Sequence, residues 1–168
     1  LYIMYLIHRR INLYLTFRTS VIHIKYLQEE IKPDFCELNK YVIKEAGSDV
    51  AIIGMGDFYH LGKEVKELLK ANEIDATLIN PRFITGIDEE VLEKLKENHG
   101  LVITLESAVL DGGFGEKVTR FYGTSSVKVM NFGGKKEFND RVPAEEILKR
   151  NHLTKEQIVE KILKVMGK

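Results

Sequence analysis

Residues 49–71, DVAIIGMGDFYHLGKEVKELLKA, decide the fold. Val50-Ala51-Ile52-Ile53 is an apolar run too short for a helix and is closed by Gly54 and Gly56, so it predicts a buried strand. From Leu61 to Ala71 the apolar residues Leu61, Val65, Leu68 and Leu69 recur at the spacing of one helical face. A strand followed at once by a helix is the unit of α/β construction. The unit repeats downstream. Ala76-Thr77-Leu78-Ile79 predicts a second strand, and residues 88–98 a helix with acids in its first turn and Gly100 as its cap. Leu101-Val102-Ile103-Thr104-Leu105 predicts a third strand, with a helix after Gly115 that places Val118, Phe121 and Tyr122 on one side. Val127-Lys128-Val129-Met130 predicts a fourth, and Tyr41-Val42-Ile43 an extra strand at the edge. The C-terminal region is helical, with Pro143 in a first turn, a Thr154-x-x-Gln157 capping box, and Ile158, Ile162 and Val165 spaced to dock on the sheet. The expected fold is a three-layer α/β domain, with a mostly parallel sheet of about five strands and helices on both faces.

Outward from this core, the 168 residues are 44% hydrophobic and 30% charged, which suits one ordinary domain with a real core. Lys plus Arg is 25 and Asp plus Glu is 25, so no global basic field points to nucleic acid. The single cysteine, Cys36, forms no internal disulfide and completes no zinc site, which fits a reducing cytoplasm. Residues 1–37 differ in kind from the rest. Their first 28 carry Arg9, Arg10, Arg18 and Lys25 and no acid, among many Ile, Leu and Tyr. The arginines cut the apolar stretches far below the roughly 18 residues a membrane span requires, and no signal-peptide pattern is present. The sequence therefore divides into an atypical basic and apolar segment, 1–37, and a compact domain, 38–168.

Three motifs invite chemistry. Gly54-Met55-Gly56 stands where a dinucleotide turn would, but Tyr59 occupies the third glycine position and Ile79-Asn80-Pro81 replaces the ribose-binding acid, so a plain strand-to-helix turn is the better reading. Asp111-Gly112-Gly113-Phe114-Gly115 exposes backbone N–H groups at a helix start. It could hold an anion, but left-handed backbone and close packing explain the glycines better, with Phe114 an anchor into the core. His60 and Glu106 fall at the carboxyl ends of the first and third predicted strands, where α/β ligands bind. They could act as an acid-base pair, although a structural or interface role is the more common use of such residues. No G-x-S-x-G elbow, H-E-x-x-H helix, P-loop lysine or calcium loop occurs.

Taken together, SDVAIIGMGDFYHLGKEV (48–65), IDATLINPRFITGIDEEVL (74–92) and HGLVITLESAVLDGGFGEKV (99–118) resemble the C-terminal domain of the transketolase-like thiamine diphosphate enzymes. Among these the 1-deoxy-D-xylulose-5-phosphate synthases are the most similar, over roughly Tyr41 to Val165. The motifs are Asn80-Pro81-Arg82-Phe83 with Asp88 beyond it, Glu106 at its strand end, and Gly112-Gly113-Phe114-Gly115. The resemblance implies an enzyme that joins pyruvate to glyceraldehyde 3-phosphate with thiamine diphosphate and Mg in isoprenoid precursor synthesis. It also implies that the cofactor lies in upstream domains with no counterpart here, so that this chain alone holds no cofactor and is inactive. Its partners would be those domains, or a subunit carrying them, in a homodimer. His60, Arg82, Glu106 and Gly112 to Gly115 then take interface or ligand-edge roles, and Thr16-Phe17-Arg18 would be a remnant of a substrate-phosphate strand. Departures from the family are Gly86-Ile87-Asp88 for its Pro-Leu-Asp, and Gly133-Gly134-Lys135-Lys136 for a Pro-Asp-Arg turn. The alternatives are a separate subunit of a split transketolase-like enzyme and a free-standing regulatory small-molecule-binding domain.

Overall fold

The computed structural model describes residues 38–138 and 140–168. The expectations for residues 1–37, including Arg18 and Cys36, lie outside the described residues.

The described residues form β1 (Val42–Glu45), β2 (Asp49–Gly54), α1 (Phe58–Ala71), β3 (Ala76–Asn80), α2 (Glu89–Leu95), β4 (His99–Val109), α3 (Phe114–Tyr122), β5 (Lys128–Gly134), α4 (Ala144–Arg150) and α5 (Lys155–Met166). The five strands form one sheet in the order β1-β3-β2-β4-β5. β3, β2, β4 and β5 run parallel, and β1 closes one edge antiparallel to β3, with Val42 opposite Asn80 and Ile43 opposite Ile79.

Strand periodicity divides the apolar runs between two cores. In β2, Val50 and Ile52 face the layer that includes Val65 and Leu69 of α1 and Ile158 and Ile162 of α5. Ala51 and Ile53 face the opposite layer, with Leu92 and Leu95 of α2 and Val118 and Tyr122 of α3. All four β2 residues are fully buried, as in a strand covered by helices on both faces. Each isoleucine there contributes about 1.5–3 kcal/mol by leaving water.

Helix ends follow local chemistry. Asp88 caps α2, its side chain accepting from Val91 N, and its other oxygen accepts from Tyr41 N at 2.9 Å, tying the β1 edge to that helix. Thr154 and Gln157 form the expected capping box of α5. Three details differ from the sequence reading. Gly100 lies inside β4 and caps nothing, because β4 extends from His99 to Val109. α3 begins at Phe114, two residues earlier than a start after Gly115. Pro143 is the N-cap of α4, just before its first turn.

At the amino-terminal edge of the sheet, His99 is nearly buried, with Nδ1 3.2 Å from Leu95 O and Nε2 2.8 Å from Thr77 Oγ1. A carbonyl only accepts, so in the neutral ring Nδ1 carries the proton and Nε2 is an acceptor. The Thr77 hydroxyl in turn accepts from Gly47 N at 2.9 Å, which fastens the β1–β2 turn. Burial pushes the imidazole below its ordinary value; the Leu95 hydrogen bond and the charges of Asp49 and Asp75 oppose this and are outweighed. The unfolded chain therefore binds the proton more readily than the native one, and stability rises with pH in this window. The contribution is complete above about pH 6.5 and is lost as pH falls through the lower native value. Urea unfolding at pH 7.5 and pH 5 is expected to show this loss, with a smaller pH dependence in His99→Gln; equal pH dependence in both proteins would refute the assignment.

Candidate functional site

β4 carries Val102, Thr104 and Glu106 on the face that α3 covers, because side chains two apart share a face. Glu106 is thereby delivered beneath the first turn of α3. Its Oε2 accepts from Phe114 N at 2.9 Å and its Oε1 from Gly115 N at 3.0 Å, and the residue is 1% exposed. Those N–H groups have no partner within a helix, and the positive end of the helix dipole favours the carboxylate charge. The Gly-rich turn does hold an anion, and the anion is the protein's own side chain.

The glycines make room for it. A Cβ on Gly113 would lie 2.7 and 2.8 Å from the two Glu106 oxygens, and one on Gly115 would lie 2.6 Å from Thr104 Oγ1. Gly133 on β5 packs on the same side chain, since its Cβ would come within 3.1 Å of Glu106 Cγ. Gly112 supplies the left-handed backbone of the turn, at φ 74°. Phe114 is buried, as expected of an anchor. Gly54 has the same kind of role, because a Cβ there would lie 2.7 Å from Tyr59 Cα, so the glycine lets β2 run close against α1.

Beside this lock lies a cleft of about 330 Å³ at the carboxyl edge of the sheet, lined by Met55, Ile84, Val109, Gly113, Phe114 and Lys117 among others. Its outer wall is the loop after β3. Lys117 on α3 donates to Ile84 O at 2.7 Å, and Asn39 Oδ1 accepts from Thr85 Oγ1 at 2.7 Å and Gly86 N at 2.8 Å. Arg82 stands exposed in that loop at φ 60°, held by Arg82 N donating to Asn80 Oδ1 at 2.9 Å, with its guanidinium 5.7 Å from the Phe83 ring. His60 sits in the first turn of α1, edge-on to Tyr59, and does not line the cleft. The structure thus brings Glu106 and residues 112–115 together, while Arg82 and His60 occupy neighbouring loops of the same edge. Lys117, Met55 and Ile84 carry no sequence signal of their own, because only the fold brings the loops after β2 and β3 against α3.

This arrangement closes β4 against the start of α3. A carboxylate with both oxygens bound to helix N–H groups is poorly placed to take a proton from a ligand. Among the described residues, no group of three or more His, Cys, Asp or Glu is placed to hold a metal ion. No helix of the described residues is long and apolar enough to cross a membrane.

Fold and motif together define a domain class, and residues 39–158 match the family "Transketolase, C-terminal domain". The chain belongs to that family. Curated relatives include the 1-deoxy-D-xylulose-5-phosphate synthases of Clostridium tetani, 35% identical over 76% of this chain and 21% of the relative, and of Symbiobacterium thermophilum, 34% identical over 80% and 21%. The chain therefore spans about a fifth of the length of these relatives. Among solved structures, one described as a split gene transketolase in an inactive beta4 tetramer aligns with TM-score 0.68 and 24% identity, covering 76% of this chain and 41% of that one. A transketolase from Pichia stipitis aligns at TM-score 0.50 and 18% identity, over 74% and 17%. Both share the fold. The Gly-rich turn does not fit the diphosphate of thiamine diphosphate, which would compete with Glu106 for the Phe114 and Gly115 N–H groups and be repelled by its charge.

Removing the internal anion strands two N–H donors in a buried place, so Glu106→Ala is expected to lower unfolding free energy by about 3 kcal/mol. Gly113→Ala forces a methyl into contact with the carboxylate and should cost about 1–3 kcal/mol. Urea denaturation measures both, and a Glu106→Ala variant as stable as the parent would show that the helix start does not depend on this side chain.

Proposed function

We propose that this chain is the C-terminal domain of a 1-deoxy-D-xylulose-5-phosphate synthase type of enzyme, inactive by itself. Its task is to dock on the domains that carry thiamine diphosphate and magnesium, and to pack within their dimer. The observation that carries this reading is the Glu106 lock: the motif shared with the family is spent on closing β4 against α3, with the Phe114 and Gly115 N–H groups of its turn given to the Glu106 carboxylate. Support also comes from the curated relatives at 30–35% identity, all bearing the name of that synthase. His60, Arg82 and the rim of the 330 Å³ cleft are then the interface edge of the domain. Residues 1–37 are a separate segment in this reading, and Arg18 a remnant of the strand that precedes the domain.

The same role suits a chain that joins its partner as a separate subunit, and the likeness to a structure described as a split gene transketolase is the reason to keep that form in the test. A regulatory site for an anionic metabolite is disfavoured, because Glu106 already uses the N–H groups such a ligand needs.

The full chain should show no thiamine-dependent pyruvate decarboxylation. Mixed with, or fused to, a Clostridium tetani synthase lacking its own matching region, it should restore that turnover. A complex whose docking is confirmed by sedimentation, yet which stays inactive while the intact relative works, would remove the proposal.

A further inference from the structure

Of the motif Asp111-Gly112-Gly113-Phe114-Gly115, only the first residue has no part in the Glu106 lock. Its carboxylate is exposed and, among the described residues, enters no hydrogen bond or ion pair. Asp111-Gly112 is also the one Asp-Gly step of the chain, which has no Asn-Gly step at all. A glycine after an aspartate removes the side chain that would otherwise screen the backbone nitrogen, and it leaves the backbone free to turn toward the carboxyl. The structure places this pair at the centre of an exposed turn. Gly113 N donates to Leu110 O at 2.9 Å, and Gly112 has φ 74°, the left-handed value that the third residue of a type II turn requires. The turn's own hydrogen bond therefore uses Gly113 N and leaves Gly112 N outside it, and among the described residues no acceptor takes that N–H. A Cβ on Gly112 would meet nothing within 4 Å, so the space beside the amide is open.

We propose that Asp111 is a modification site, at which the chain isomerises spontaneously to isoaspartate through a succinimide. Gly112 N attacks Cγ of the protonated Asp111 carboxyl and forms the N–Cγ bond, and the hydroxyl leaves as water together with the amide proton. Water then reopens the ring at one of its two carbonyls. Breaking the new N–Cγ bond restores aspartate. Breaking the original bond between the Asp111 carbonyl carbon and Gly112 N leaves the backbone running through Cγ, with the former main-chain carbonyl as a free carboxylate. The water lost in the first step returns in the second, so no other reactant takes part. The product has one extra backbone atom between Leu110 O and Gly113 N, just ahead of the Phe114 and Gly115 N–H groups that Glu106 holds at 2.9 and 3.0 Å. Hydrogen bonds weaken steeply with distance and angle, so the added methylene loosens the lock without altering Glu106 itself. The inference stands on the geometry of the turn and does not depend on the family role proposed above.

Peptide mapping after storage of the full chain in warm, mildly acidic buffer tests it. The tryptic peptide 97–117 is expected to split into two forms of equal mass, with a transient third form lighter by one water. One of the equal-mass forms should resist a protease that cuts before aspartate. Asp111→Glu, which cannot close the same ring, should give no such form. Asp111→Asn, whose side chain loses ammonia more readily than a carboxyl loses water, should convert many-fold faster. A sample enriched in the isoaspartyl form should unfold at a lower urea concentration than the parent. The proposal is overturned if the Asp111→Asn chain keeps a single unconverted peptide, or if isoaspartate forms no faster at Asp111 than at Asp57, another exposed aspartate. It is also overturned if the isomerised and parent chains unfold at the same urea concentration.

Discussion

The Glu106 carboxylate under the first turn of α3 is the constraint around which the carboxyl edge of the sheet is arranged. One side chain satisfies two of the helix's unpaired N–H groups and sets the angle at which α3 leaves the sheet. Gly113 and Gly133 have no side chains because Glu106 fills the space theirs would take. Gly115 is bare for a related reason, since α3 must approach Thr104 and Asn131 closely for its N–H to reach the carboxylate. Phe114 then enters the core from the same turn, so the lock is electrostatic on one side and apolar on the other.

That lock works only because the sheet beneath it is rigid. β2 and β4 are interior strands with buried residues on both faces, and their parallel register aligns Ile52 with Ile103 and Gly54 with Leu105. The strand ends therefore stop at a common edge, and the loops that follow are held there by Asn39, Asp88 and Lys117. Three polar side chains from different segments thus fix the loop that carries Arg82 and Ile84. Exposed surface ion pairs such as Lys94–Glu90 add little by comparison, because water screens both partners.

Much of this was legible in the sequence, and the rest was hidden for physical reasons. Alternation in Leu101 to Glu106 places the glutamate on the same face as Val102, and the glycines at 112 and 113 mark a helix start. Neither observation alone says that the two meet, because the pairing spans eight residues, four of them the irregular turn 110–113, and depends on how sharply the strand turns. The reading of Gly100 as a helix cap failed because strand pairing with β2 from Asp49 to Gly54 outweighs a local end signal. The edge strand was found but displaced, to Val42–Glu45, since Tyr41 is occupied in donating to Asp88. His99 gave no signal because its partners Thr77 and Leu95 come from other elements.

A Gly-rich turn at a helix start is usually read as a phosphate cradle, and the present case shows what decides the matter. The test is whether the N–H groups of the turn already have an acceptor within the chain. Here an acid lies near the end of the preceding strand on the correct face, eight residues before the first N–H it binds. Two N–H groups of the turn are thereby satisfied within the chain itself. A surface ordered in advance loses less conformational entropy on any association than one that must be organised by its partner.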